Sequence, residues 1–232
     1  FLPPLEEAAK MDFQERIKRG FELAIVDGMD VFFGIASVLV AVGESFGRQG
    51  SAGSAARFLS RPSVLFHLLK ALLRSKLARR PILPKDIWAL KGLATGGGDA
   101  SVYKEKVKQM WGRYPLEVLG SSEGNVMAMQ TWNYKGMTFL PQMNFLEFIP
   151  ANELPKAAAD PRYQPQTLLL DQVRPGELYE LAITNFLGGA FVRYRTGDVI
   201  QITALRDDET NVNLPQIVFY SRADNVIELA GF

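Results

Sequence analysis

Between Ile87 and Gly124 the sequence runs through an apolar stretch, three glycines, an amphipathic stretch and a second apolar stretch, an order that a strand–loop–helix–strand unit satisfies. Ile87 to Leu93 reads as the first strand. Ala94-Thr95-Gly96-Gly97-Gly98-Asp99-Ala100-Ser101 is the loop, Val102 to Trp111 the helix and Pro115 to Leu119 the second strand. A crossover of this kind makes the two strands parallel neighbours, so the loops after them face the same way. That crevice, outside the carboxyl ends of the strands, is where open α/β sheets bind ligands.

Each loop carries groups suited to a phosphate-bearing ligand. Gly96, Gly97 and Gly98 remove side chains where a planar ring or a phosphate lies on the backbone, and the helix start beyond them offers unpaired N–H groups. The run is not a Walker loop, because no Gly-Lys-Ser/Thr follows the glycines. It serves equally as a tight connection capped by Asp99 or Ser101. The second loop, Leu119-Gly120-Ser121-Ser122-Glu123-Gly124, places two hydroxyls and a carboxylate between glycines that permit a tight turn. Hydroxyls donate to phosphate oxygens, and a single carboxylate beside them suits Mg2+, which takes oxygen ligands and bridges an acidic side chain to substrate phosphates. The same six residues also make an ordinary polar turn at a strand end.

Composition narrows the chemistry. With 232 residues and 47% hydrophobic content the chain is long enough for a sizeable core. Its 26 basic and 25 acidic residues leave a net charge of +1, without the electrostatic footprint of a protein that binds nucleic acid or an anionic membrane. Zero cysteines exclude disulfides and thiolate metal sites and agree with a cytoplasmic enzyme. With His67 the one histidine, set among leucines, a His-based zinc site or catalytic triad is not expected. The chain begins at Phe1 and ends at Phe232 just after an apolar run, and it reads as an internal piece of a longer protein. Its longest apolar run, Val31 to Val42, falls well short of the roughly 20 residues of a membrane span.

The first ninety residues read as helical. Phe13, Ile17, Phe21 and Ile25 recur at helical spacing from Met11 to Ile25, and Asp30 is placed to cap an apolar core helix from Val31 to Phe46. Gln49 to Ser54 is a link of small residues, and Ala56 to Arg80 a helix interrupted at Arg61-Pro62, with Lys70, Arg74, Lys76, Arg79 and Arg80 as its solvated face. Beyond Gly124 the texture changes to short runs of branched and aromatic residues between turn signals: Val126–Thr131, Met137–Leu140, Phe145–Ile149, Glu177–Thr184, Phe191–Arg195, Val199–Thr203, Pro215–Tyr220 and Val226–Leu229. The expected fold is therefore α/β, with a helical N-terminal part and a parallel α/β sheet over 1–124, followed over 125–232 by a β-rich, distorted-barrel part. Ala151 to Pro175, punctuated by prolines, reads as a surface excursion.

Three more polar clusters sit at strand ends. Glu147 lies inside the aromatic strand, facing either solvent or a site. Asp198 follows Gly197 in Arg193-Tyr194-Arg195-Thr196-Gly197-Asp198, a glycine turn suited to presenting a carboxylate to ribose hydroxyls. Arg222, in Ser221-Arg222-Ala223-Asp224-Asn225, has the planar fork that pairs with a phosphate. Taken singly, each is also an ordinary turn or surface ion pair.

In order, Thr95-Gly96-Gly97-Gly98, Gly120-Ser121-Ser122-Glu123, Tyr194-Arg195-Thr196-Gly197-Asp198 and Ser221-Arg222-Ala223-Asp224-Asn225 resemble the sequence cores of the adenylate-forming superfamily, which joins acyl-CoA synthetases, peptide-synthetase adenylation domains and luciferases. Met143 to Pro150, Glu177 to Thr184 and Phe191 to Arg195 look most like the auxin-responsive (Gretchen Hagen) acyl-acid amido synthetases. The resemblance covers residues 90 to 232. It implies that a carboxylic acid attacks the α-phosphate of ATP, giving an acyl-adenylate and pyrophosphate, and that an amino acid amine or coenzyme A then displaces AMP. It places Gly96, Gly97 and Gly98 at the adenine, Ser121 and Ser122 at the phosphate, Glu123 on Mg2+, Asp198 on the ribose and Arg222 on ribose or phosphate. Asp224-Asn225 would be the hinge to a small C-terminal domain. Val31 to Val42 would line the acyl pocket by analogy. The family's upstream phosphate loop with its lysine has no counterpart here, and Ser221 and Asn225 depart from the usual glycine and acid. The alternatives are a phenylacetate-type acyl-CoA ligase and a domain that kept the nucleotide pocket without turnover.

Overall fold

In the computed structural model, residues 2–48, 62–97, 100–160, 162–186, 188 and 190–223 are described. The expectations for the Gln49 to Ser54 link, for Ala56 to Arg61, for the His67 side chain, for Gly98 and Asp99, for the Asp224-Asn225 hinge and for the strand Val226–Leu229 lie outside them. The fold is mixed α/β, and the chain divides into two compact units: Phe1–Ala94 with Val102–Pro115, and Thr95–Ser101 with Leu116–Phe232.

The first unit packs its helices on an aromatic core. Asp12 accepts a hydrogen bond from Glu15 N (2.8 Å) and so caps α2 (Phe13–Asp27), following a short α1 (Leu5–Ala8). The stretch expected as one helix from Val31 to Phe46 is instead β1 (Val31–Ile35) followed by α3 (Ala36–Arg48). Val31, Phe32 and Phe33 are branched or aromatic and suit a strand, and Asp30 does not cap a helix: its carbonyl accepts Lys91 N (2.7 Å) and Gly92 N (3.1 Å). Strand alternation turns Phe32 inward and leaves Val31, Phe33 and Ile35 exposed, so this run is no buried helix. On α4 (Pro62–Leu77) the basic residues are exposed, but so are Phe66, Leu69, Leu73 and Leu77; the solvated face is apolar as well as basic.

The apolar run from Ile87 is also not a strand at its start. A short α5 (Pro84–Ile87) is closed by Asp86, whose carboxylate takes two hydrogen bonds from Arg80 (2.7 and 2.8 Å) and one from Leu83 N (2.9 Å). The strand, β2 (Gly92–Gly96), begins later and contains Thr95 and Gly96, which were expected in the loop. α6 (Ala100–Trp111) follows and returns Trp111 to the core. Trp111 stacks on Phe32 (5.3 Å) and on Trp88 (6.2 Å), and both indoles donate to backbone carbonyls, Trp111 to Leu39 (3.1 Å) and Trp88 to Ala24 (2.9 Å).

In the second unit β3 (Leu116–Ser121), β4 (Asn125–Gln130), β5 (Met137–Phe139), β6 (Phe145–Pro150), β7 (Leu178–Thr184), β8 (Tyr194–Ala204) and β9 (Gln216–Arg222) line up as β3-β4-β5-β9-β8-β7-β6, each antiparallel to its neighbour. β2 pairs with β3, as the strand–loop–helix–strand reading requires. The runs Phe191–Arg195 and Val199–Thr203 are not two strands: β8 passes unbroken through Thr196-Gly197, with a register shift against β7 and two against β9. Met127, Phe139, Phe148, Leu181, Ile183, Ile200, Ile202 and Ile217 form the core.

The proline-rich excursion is tied down. After a short 3-10 turn (Ala151–Glu153) and α7 (Leu154–Ala159), Leu168 pairs with Phe148 and Val173 is buried in the core. Glu153 anchors it, accepting hydrogen bonds from Lys156, Tyr163 and Gln166 N, and the first two of these hold its carboxyl at about 2, below the ordinary 4.5. A depressed pKa stabilises the folded form above the ordinary value, and the contribution is lost as the pH falls through the folded one. Acidification from about 4.5 towards about 2 is therefore expected to loosen the excursion in the native chain. In Glu153→Gln that pH dependence is expected to vanish. Limited acid proteolysis across this pH range reads the difference, and identical profiles would refute the anchoring role.

Candidate functional site

β3 and β4 are joined by Ser122-Glu123-Gly124, so the motif expected as a binding loop is the tip of an antiparallel hairpin. The ladder slips between Leu119 and Gly120, where a Cβ on Gly120 would stand 2.6 Å from the Asn125 carbonyl oxygen. Glycine lets the two backbones close there. Ser121, expected at the phosphate, uses its hydroxyl to accept a hydrogen bond from Gly124 N (3.0 Å) and so shapes the turn. Two carbonyls of the turn are held by residues that flank other strands: Gly124 O by Asn144 Nδ2 (2.7 Å), just before β6, and Glu123 O by Asn185 Nδ2 (3.2 Å), just after β7. Ser122 is exposed and Glu123 half-buried, and neither side chain hydrogen-bonds within the described residues.

β7 connects this turn to the second cluster. Ile183 on β7 packs against Gly124, while two residues earlier the Leu181 carbonyl accepts the Thr196 hydroxyl (3.0 Å). Two residues of strand span roughly 7 Å. Thr196 Oγ1 in turn accepts Asp198 N (3.1 Å), and Glu180, 2% exposed, binds Arg195 through both oxygens and accepts Gly197 N (3.3 Å). The expected glycine turn before Asp198 is thus a kink inside β8. Gly197 has φ +75°, and a Cβ there would meet Arg222 Nη2 at 3.0 Å. The guanidinium lies over that bare backbone and donates to Asp198 Oδ1 (2.7 Å), while Ala223 N donates to Gly197 O (2.7 Å). Asp198 and Arg222, assigned separate roles in the sequence, are bonded to each other.

Other expected residues fall as follows. Gly96 ends β2 against the Val118 carbonyl, and Gly97 is exposed with φ +108°. Glu147 faces neither solvent nor this site: it accepts from Arg193 Nε (3.0 Å) and from Thr167 Oγ1 (2.8 Å), joining the excursion to the hairpin before β8. Among the described residues no group of three or more His, Cys, Asp or Glu is placed to hold a metal. Glu123 would then be the single carboxylate on a cation whose remaining ligands come from phosphate and water, a mode that fits Mg2+. A groove of about 470 Å3, lined by Asn144, Leu146, Leu170, Leu205, Leu214 and Pro215 among others, holds none of the residues expected at the nucleotide. No described helix is long and apolar enough to cross a membrane.

Comparison with known proteins bears on the same elements. Jasmonoyl--L-amino acid synthetase GH3.5 of Oryza sativa subsp. japonica is 29% identical over 149 residues, covering 60% of this chain and 24% of its own. Indole-3-acetic acid-amido synthetase GH3.8 of Oryza sativa subsp. indica is 33% identical over 92 residues, covering 40% and 14%. The chain thus spans about a quarter or less of these relatives. Among solved structures, the acyl acid amido synthetase AtGH3.15 in complex with 2,4-DB overlays 91% of this chain and 39% of its own with a TM-score of 0.57 at 16% identity. An open conformation of 2-hydroxyisobutyryl-CoA ligase overlays 93% and 38% with a TM-score of 0.56 at 15% identity, so both share the fold. Residues 137–222, from β5 through Arg222, match the GH3 family central domain, so that part of the chain is similar to the central domain of GH3 proteins.

Proposed function

We propose that the chain forms the nucleotide-binding centre of an ATP-dependent ligase that adenylates a carboxylic acid and passes the acyl group to the amine of an amino acid. The observation that carries this reading is the Ser121–Gly124 turn, whose backbone is held on several sides while the Ser122 hydroxyl and Glu123 carboxylate are unengaged among the described residues. In the first step a carboxylate oxygen bonds to the α-phosphorus as the bond to the bridging oxygen breaks and pyrophosphate leaves. In the second the amine attacks the acyl carbonyl, AMP leaves and the ammonium proton is lost. Ser122 donates to the α-phosphate, Asp198 accepts from ribose hydroxyls, Arg222 steadies Asp198 and faces the phosphate side, and the glycines at 96 to 98 flank the adenine. Glu123 would hold Mg2+, which neutralises phosphate charge when bound. Catalysis would rest on positioning and charge stabilisation.

The acceptor is the finer question, because the overlays on an amido synthetase and on a CoA ligase score alike. The GH3 match favours an amine. Product analysis by mass spectrometry with the protein from the complete reading frame decides it: amide supports the reading, CoA thioester replaces the acceptor, and no pyrophosphate release with any acid leaves a binding domain. For Glu123→Gln the stability is expected to change by no more than about 0.5 kcal/mol, the range of an ordinary surface substitution, so the melting temperature stays nearly unchanged. The Mg2+-dependent part of ATP affinity is expected to disappear. Unfolding, or an intact Mg2+ dependence, would remove Glu123 from the metal.

A further inference from the structure

We infer that Asn144 and Asn185 are positioning residues of the proposed nucleotide site: from just before β6 and just after β7 they fix the backbone from which Ser122 and Glu123 project. This rests on the nucleotide reading and deepens it. Both amides are buried, at 2% and 7% exposure, and each spends an Nδ2 donor on a carbonyl of one three-residue turn, at Gly124 and at Glu123. The Ser121 hydroxyl accepts the Gly124 amide. Such a turn is pinned at successive residues, so its two outward side chains have little backbone freedom to lose when a charged ligand arrives.

Asn144 argues against a purely structural role. Its Oδ1 is buried without a hydrogen-bond partner among the described residues, a cost that a leucine of similar size in the same place would not carry. What the asparagine adds is its donor to Gly124 O. A second line is that the two asparagines flank different strands, 20 and 62 residues from the carbonyls they hold, so the ends of the sheet set the turn.

The test is ATP binding to the purified chain by calorimetry, with Mg2+ and then with EDTA, for the native sequence, Asn185→Ala, Asn144→Leu and each combined with Glu123→Gln. The expected result is that either asparagine variant lowers the Mg2+-dependent gain in affinity by about tenfold, the upper end for one buried hydrogen bond, while affinity in EDTA, where Ser122 alone of the two side chains acts, falls by much less. On the Glu123→Gln background neither is expected to add more than that smaller loss. Equal weakening with Mg2+ and with EDTA, additive effects with Glu123→Gln, or unchanged affinity overturns the inference. Unfolding of both single variants also overturns it, since the asparagines would then hold the fold and not the turn. If the native chain shows no Mg2+-dependent ATP binding, the nucleotide reading itself falls, and the same titration shows this before any variant is compared.

Discussion

Trp111→Ala is expected to remove about 3 to 5 kcal/mol from the stability of the first unit, the range for deleting a large aromatic from a packed core. Trp111 is 1% exposed and lies between Phe32 and Trp88, with Phe21 at 6.3 Å, so the truncation leaves three rings without a face to pack on. It also strips the Leu39 carbonyl of its indole donor. Trp111→Phe keeps most of the volume and loses the donor, and its cost should be well under half as large. Urea denaturation followed by circular dichroism compares the two. A loss below about 1 kcal/mol for the alanine variant would mean that this core does not organise the unit.

Trp111 shows how far sequence reasoning reaches. Its helix was legible because apolar residues recur at helical spacing from Val102, and the strands from β4 to β7 were legible because short branched runs alternate with turns. Val31 to Phe46 was not: a continuous apolar run has no period, and the strand declares itself only through the long-range bonds from Lys91 and Gly92 to Asp30. β8 was split in two because a glycine inside a run reads as a turn, whereas here it makes a kink that accommodates an arginine from β9.

The candidate site divides along the same line. Ser122 and Glu123 stand in a glycine-bounded turn that local sequence marks, so sequence alone singles them out as candidates. Asn144 and Asn185 were missed because an asparagine in a loop carries no sign of which carbonyl it will hold across the sheet. Asp198 is a candidate that its neighbouring glycine marks, but its bond to Arg222 depends on the pairing of β8 with β9. The expected independence of the two side chains reflected one-dimensional reading.

That bond shapes the second large effect, the expected weakening of AMP binding by about 1.5 to 3 kcal/mol in Asp198→Ala, the range for hydrogen bonds to a charged group. Asp198 is 7% exposed, with its backbone N–H fixed by Thr196 and Oδ1 fixed by Arg222, so the carboxylate is oriented before any ribose arrives. Removing it takes away both the acceptor and the group that holds Arg222 over Gly197. Arg222→Ala removes only the holder, and its side chain is 38% exposed, so its loss should cost less affinity than loss of the acid. The ordering is the content of the prediction: Asp198→Ala weakest, Arg222→Ala intermediate, native tightest, with all three folded by circular dichroism. Calorimetric titration with AMP reads it. If Arg222→Ala binds as weakly as Asp198→Ala, the arginine is the ligand-contacting group and the acid only its support, and if all three bind alike neither side chain belongs to the nucleotide site.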